Sequence, residues 1–267
     1  MQLDTPWRAY IPKALQQRGL SGYEPYALEC FLALCETAPA GAVFDVGANI
    51  GLYGVLASSY SDRVVHCFEP TPLVAANARA ITAANDLGSE MVELAFGAQD
   101  GTATFYLSAV TDASNSLNPE FREHLNELVV PVERIDGYVQ RTGIRPAIIK
   151  IDTETTEPDV LAGAAGYLRT DRPWLMAEVL PDVTHERLHE VMDPLGYTYY
   201  HLDGPGPRPV ASRFVGDASG AAAFMYLLAP EPVGDHFWER MNAWAQVLRA
   251  STVTPDELTA TWTAKGL

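Results

Sequence analysis

The sequence predicts an α/β fold with an open, doubly wound, mostly parallel sheet. Residues 43–54, VFDVGANIGLYG, read as a buried strand over 42–46, a tight glycine turn and the start of a helix. From there strands and helices alternate to residue 96 in β-α-β-α-β order, one half of such a sheet. Asp45, Glu69, Asp152 and Glu178 then fall at or near the carboxyl ends of strands, where open parallel sheets bind their ligands.

The elements follow in order. Residues 1–40 form an N-terminal helical cap, with helical apolar spacing over 26–36. Tyr10, Tyr23 and Tyr26 fit packing there better than reaching over a ligand. A strand over 63–68 ends at Glu69. Pro70-Thr71-Pro72 follows, with Thr71 as N-cap and Pro72 at the first position of a helix over 73–85. The third strand covers 91–96 and ends at Gly97-Ala98, where a class of adenine pockets lies. Asp100-Gly101 is a turn signal, and residues 102–107 alternate with a period of two. A polar segment over 111–118, a short helix from Asn118-Pro119 and a strand over 129–133 complete an inserted hairpin after the third strand. Its connection hangs over the site and makes Ser116 a candidate cofactor contact.

Further strands are expected over 147–151, 174–179, 197–202 and 222–228, with helices over 158–168 and 184–194 between them. A glycine- and proline-rich loop over 203–220 is a candidate lid. The last helix, 236–250, sets Phe237, Met241, Trp244 and Leu248 on one stripe, which suits core cover or a homodimer contact better than a ligand. With no repeat or linker in sight, one domain is expected over 1–267: the cap (1–40), the catalytic sheet (41–230) and a C-terminal helical extension (231–267).

Composition narrows the function classes. A hydrophobic content of 48% is ample for a core, and a net charge of −16 opposes a nucleic-acid partner, whose phosphates would be repelled. Cys30, Cys35 and Cys67 show no zinc or disulfide spacing, which makes a reducing cytoplasm the default. The first residues have no apolar core like that of a signal peptide, and no stretch reaches the roughly 18 apolar residues of a membrane span.

The glycine turn decides the cofactor. Gly47 and Gly51 let the backbone turn sharply and approach a ligand, and the following helix directs its N-terminal N–H groups there. A dinucleotide fingerprint needs a glycine where Asn49 stands, and Asp45 adds a like charge against phosphates. Glu69, 24 residues after Asp45, suits a ribose diol, because a carboxylate accepts two hydroxyl hydrogen bonds. Together they point to S-adenosylmethionine rather than NAD, with Ala48 and Pro70 as neighbouring contacts in the two loops. An NAD-dependent oxidoreductase remains the alternative, as does a fold kept only for binding.

Asp152, His185 and Glu178 are the candidates for proton transfer. His185-Glu186-Arg187-Leu188-His189 fits H-E-x-x-H, but its helix is bounded by Pro181 and Pro194 and no third zinc ligand follows. His185 at a helix start is expected to be a neutral imidazole, the form a general base needs. No metal is the default expectation. Mg²⁺ on Asp152 and Glu178 is the lesser alternative.

With these residues in hand, the chain resembles the FkbM-type family of S-adenosylmethionine-dependent methyltransferases, from about Val43 to Val179. VFDVGANIGLYG, HCFEPTP, IKIDTETTE and MAEV carry the resemblance. It implies a Rossmann-like class I methyltransferase with a seven-stranded sheet, and O-methylation of small-molecule hydroxyls, often on polyketides or sugars. By position, Asp45, Gly47, Asn49, Gly51 and Glu69 look like its cofactor residues. The family pattern D-x-E-G-x-E is met by Asp152, Glu154 and Glu157, with Thr155 where the glycine stands.

Overall fold

The structure is a computed structural model that describes residues 10–181, 183–211, 213–214 and 224–250. Strand β1 (Ala42–Val46) is buried at every position and lies inside the main sheet. β2 (Val65–Phe68) and β3 (Glu90–Val92) flank it on one side, and β7 (Pro146–Ile151) and β8 (Trp174–Glu178) on the other. All four pairings are parallel. β9 (Thr198–His201) and β10 (Met225–Ala229) complete the far edge, giving the order β3-β2-β1-β7-β8-β10-β9 with β10 antiparallel to both neighbours. The expected seven-stranded, mostly parallel sheet is present.

A second, three-stranded sheet carries the insertion. β4 (Ala95–Phe96) pairs with β6 (His124–Glu133), which pairs in turn with β5 (Gly101–Ser108). The single strand expected over 91–96 is therefore two strands in different sheets. The Leu94 amide donates to the Val92 carbonyl at 3.0 Å, a γ-turn that ends pairing with β2 and redirects the chain. The short helix expected from Asn118 is absent; residues 118–123 are turns and bends, and β6 starts five residues before the strand expected at 129.

One sheet face carries α1 (Tyr10–Arg18), α2 (Pro25–Thr37), α3 (Leu52–Tyr60), α4 (Pro72–Ala84) and α9 (Asp235–Ala250). The other carries α5 (Ile135–Thr142), α6 (Glu157–Ala162), α7 (Ala165–Thr170) and α8 (His185–Met192). The helix expected over 158–168 is thus two short helices. At Gly163, between them, a Cβ would lie 2.1 Å from the Gly97 carbonyl oxygen, so the chain stays bare where it crosses the sheet's end. Phe237, Met241 and Leu248 on α9 are buried against the core and Trp244 packs partly buried beside it, so the stripe covers the core. Parts of the loop over 203–220 and of the strand expected from 222 lie outside the described residues.

Period-two alternation sorts the strand side chains between the two faces. Val43, Ile148 and Met176 join the α2–α3 core, and Phe44, Ile149 and Leu175 the α5–α8 core. Asp45 and Lys150 are paired in register and share the first face, with Cys67 beside Asp45 on β2.

Candidate active site

Gly47 follows β1 with φ 75, and a Cβ there would lie 1.8 Å from the carbonyl oxygen of Asp152. The ends of β1 and β7 meet at that point. The turn's amides are all used internally. Gly47 and Ala48 donate to the Phe68 carbonyl, each at 3.0 Å, and Gly51 donates to Ala48 at 2.8 Å. Asn49 donates to Glu69 Oε2 at 3.1 Å, and Ile50 to the Asn49 side chain at 2.8 Å. The expectation of free N–H groups aimed at a ligand is corrected: Asn49, at φ 49, caps the turn itself. A pyrophosphate would find no spare donor on residues 47–51.

Beyond this turn lies a cavity of about 440 Å³. Glu69 is at one end. Its Oε1 accepts the Thr71 amide at 2.9 Å and its Oε2 the Asn49 amide, so each oxygen is aimed and keeps a lone pair for a hydroxyl. Burial pushes its pKa up to about 6, while the two amides oppose the shift. Leu94, Ala95, Phe96, Phe105 and Leu117 form an apolar wall beside it. The roof is the loop between β5 and β6. Asn49 Nδ2 donates to the Asp112 carbonyl at 3.2 Å, and the Tyr10 amide to Asp112 Oδ1 at 3.0 Å.

Asp152, Glu154 and Glu178 gather at the far end, each with an oxygen within 4.8 Å of the others. Lys150 Nζ lies 3.1 Å from Asp152, 3.7 Å from Asp45 and 4.7 Å from the Tyr53 ring centroid. Burial, then Asp152 and Glu157, pushes Glu154 up to about 9. Burial pushes Glu157 up to about 7, and Glu178 well above the usual carboxylate range with Asp152 and Glu154 adding to it. Glu154 and Thr155 have φ 56 and 87, so Thr155 occupies the left-handed conformation that a glycine takes without strain. The insertion holds this turn. Ser116 Oγ donates to the Glu154 carbonyl at 2.5 Å, and Asn118 Nδ2 to Thr155 Oγ1 at 3.0 Å.

These acids predict a pH dependence. Their folded pKa values lie above those of an unfolded chain, so between pH 7 and 8.5 the unfolded state binds fewer protons and stability falls as pH rises. Each retained proton is worth about 1.4 kcal/mol per pH unit. Tm of the ligand-free chain should drop by at least about 3 °C from pH 7 to 8. A flat or rising Tm would mean that the acids are already ionised when folded.

Several expected site residues lie elsewhere. Asp45 is fully buried behind Lys150, off the cavity, and neither of its oxygens has a hydrogen-bond partner among the described residues. Gly51, at φ 77, only starts α3. Gly97 and Ala98 stand past the cavity wall, because the γ-turn shifts that wall back to residues 94–96. Ser116 is buried under the Glu154 turn rather than facing a cofactor. His185 does not line the cavity, and its Nδ1 is buried with no partner among the described residues. His189 accepts the Phe214 amide at Nε2, 2.7 Å, and lies 3.4 Å from Asp193, so it ties α8 to the chain near Phe214.

Gly47, Ala48, Asn49, Glu69, Pro70, Asp152 and Glu178 do line the cavity. So do Tyr10 and Tyr23, read from sequence as packing residues, while Tyr26 borders a small adjoining recess. Sequence reasoning missed Glu24 and Tyr53 on the cavity wall. The only local signal for Glu24 was Pro25, which marks a helix start.

A glycine turn between parallel strand and helix, an acid aimed from the second strand and an acidic far end define a Rossmann-like α/β protein of the methyltransferase class. The chain belongs to the FkbM methyltransferase family, whose domain model, the methyltransferase FkbM domain, matches residues 45–199. A 31-O-demethyl-FK506 methyltransferase from Streptomyces tacrolimicus is 27% identical over 209 residues, 67% of this chain and 76% of that protein. Among solved structures, an FkbM methyltransferase from Methylobacillus flagellatus KT is 17% identical with a TM-score of 0.41, over 71% of this chain and 43% of that one. A precorrin-6y C5,15-methyltransferase from Geobacter metallireducens GS-15 is 10% identical with a TM-score of 0.46, over 77% and 86%. The chain thus spans less than half of the Methylobacillus protein. No helix among the described residues is long and apolar enough to cross a membrane.

Proposed function

We propose that this chain is an S-adenosylmethionine-dependent O-methyltransferase acting on a hydroxyl of a small molecule, of sugar or polyketide type, in a cytoplasmic biosynthetic route. One observation carries the reading: a single cavity joins an aimed ribose acceptor, Glu69, to a proton-accepting cluster at Asp152. The fully used turn amides suit a cofactor without phosphates and weigh against NAD. The relative's printed name, a 31-O-demethyl-FK506 methyltransferase, supports an oxygen acceptor.

The cofactor would supply an electrophilic methyl group on a sulfonium. Glu69 would hold the ribose diol, and the apolar wall around Phe96 and Phe105 the adenine. Asp152 would receive the proton that the acceptor hydroxyl must lose, the methyl group's carbon–sulfur bond breaking in the same transfer with its electron pair left on the thioether sulfur. Lys150, 3.1 Å away, keeps that carboxylate oriented. Positioning and exclusion of water under the 112–115 roof supply much of the rate.

Calorimetric titration tests the reading. S-adenosylhomocysteine should bind and NADH should not. Glu69→Ala should weaken S-adenosylhomocysteine by about 1.5–3 kcal/mol, the range for hydrogen bonds to a charged group. Unchanged affinity in that variant would remove Glu69 from the site.

A further inference from the structure

We propose that Glu24 binds the α-ammonium of the cofactor's amino-acid end, with Tyr53 aiming its carboxylate; the assignment rests on the cofactor reading above. For a nucleoside whose ribose meets Glu69 and whose base meets Phe96, the remaining room for the 5′ substituent would lie along the 47–49 turn toward the opposite end of the cavity. That end is walled by Tyr23, Glu24, Tyr53, Lys150 and Asp152. Its charges are not equivalent. Lys150 is occupied by Asp45 and Asp152, at 3.7 and 3.1 Å. Glu24 instead accepts a hydrogen bond from the Tyr53 hydroxyl at 2.9 Å, and no cation lies within 4 Å of it among the described residues.

Its backbone is a second, independent sign. Glu24 has φ 42, a left-handed conformation that glycine or asparagine adopts at lower cost, and Pro25 fixes the next φ at the start of α2. Strained non-glycine backbone clusters at ligand-binding sites. Burial and the nearby Asp152 raise its pKa against the opposing pull of Lys150, which is itself shared with Asp45 and Asp152, so an arriving ammonium would add to the positive charge facing Glu24. The phenol of Tyr53 bridges both charges, donating its hydroxyl to Glu24 while its ring carries Lys150 at 4.7 Å. The far end of the cavity thus offers an aimed acceptor for the ammonium.

The test uses two neutral ligands and the full chain. S-adenosylhomocysteine has the amino-acid end; 5′-deoxy-5′-methylthioadenosine has the same base and ribose without it. In Glu24→Gln, whose amide oxygen still accepts from Tyr53, Kd for S-adenosylhomocysteine should rise about tenfold or more, while methylthioadenosine should bind as to the wild type. Tyr53→Phe, which keeps the ring under Lys150, should shift the same ligand in the same direction by a smaller factor. Methylthioadenosine binding reports in each variant that the site is folded. Equal losses for both ligands, or no loss for either, would overturn the role of Glu24. A wild-type chain that binds neither ligand would overturn the cofactor reading itself.

Discussion

Asp152→Asn should lower methyl-transfer turnover by about 10²-fold or more, the range for a positioned base. Asparagine fills the same space and still pairs with Lys150, but it cannot take a proton from the acceptor hydroxyl. The backbone around it is anchored independently, because the Asp152 amide donates to the Val46 carbonyl at 3.0 Å. Lys150 also retains Asp45. Single-turnover rates with bound cofactor separate this chemical defect from weaker binding. Wild-type turnover in the variant would remove Asp152 from the proton transfer.

Gly47→Ala should be lost as a folded protein, with a cost above about 4 kcal/mol. The new methyl group would need the space of a backbone carbonyl 1.8 Å away, at a φ of 75 that alanine resists. Neither side of the contact is a flexible side chain. One is the turn after β1, and the other is the first residue after β7. Thermal melts against Gly88→Ala, whose added Cβ meets nothing within 4 Å, give the comparison. The control should melt like the wild type, and the Gly47 variant at least about 10 °C lower or not as a soluble protein. A near-native Tm would mean that the two strand ends do not meet as described.

The parts legible in the sequence are those fixed by local patterns. β1, β2, β7 and β8 appear as short apolar runs because each is buried on both faces, and the acids that follow them mark the sheet's working edge. The misplaced residues depend on geometry that composition does not carry. His185 was read by its distance from a strand end, but each residue of a helix turns the side chain by about 100°, and at this position it misses the cavity. Gly97 and Ala98 were displaced by one γ-turn, set by a single Leu94–Val92 hydrogen bond. Asp45 stands one residue before the strand end, fully buried beside Cys67 and behind Lys150 on the same face, while Val46 next to it reaches the cavity. Glu24 joins the site only through tertiary packing of α2 on α3, where Tyr53 supplies its hydrogen bond.

The loop between β5 and β6 has a mechanical consequence. Through Asp112 it is tied to Asn49 over the Glu69 end of the cavity, and through Ser116 and Asn118 to the Glu154–Thr155 turn over the Asp152 end. A loop of this length bonded at both ends behaves as one lever. The same segment thus braces both the glycine turn and the strained turn that carries Glu154, so the two ends of the cavity are held in place jointly rather than each by its own strand.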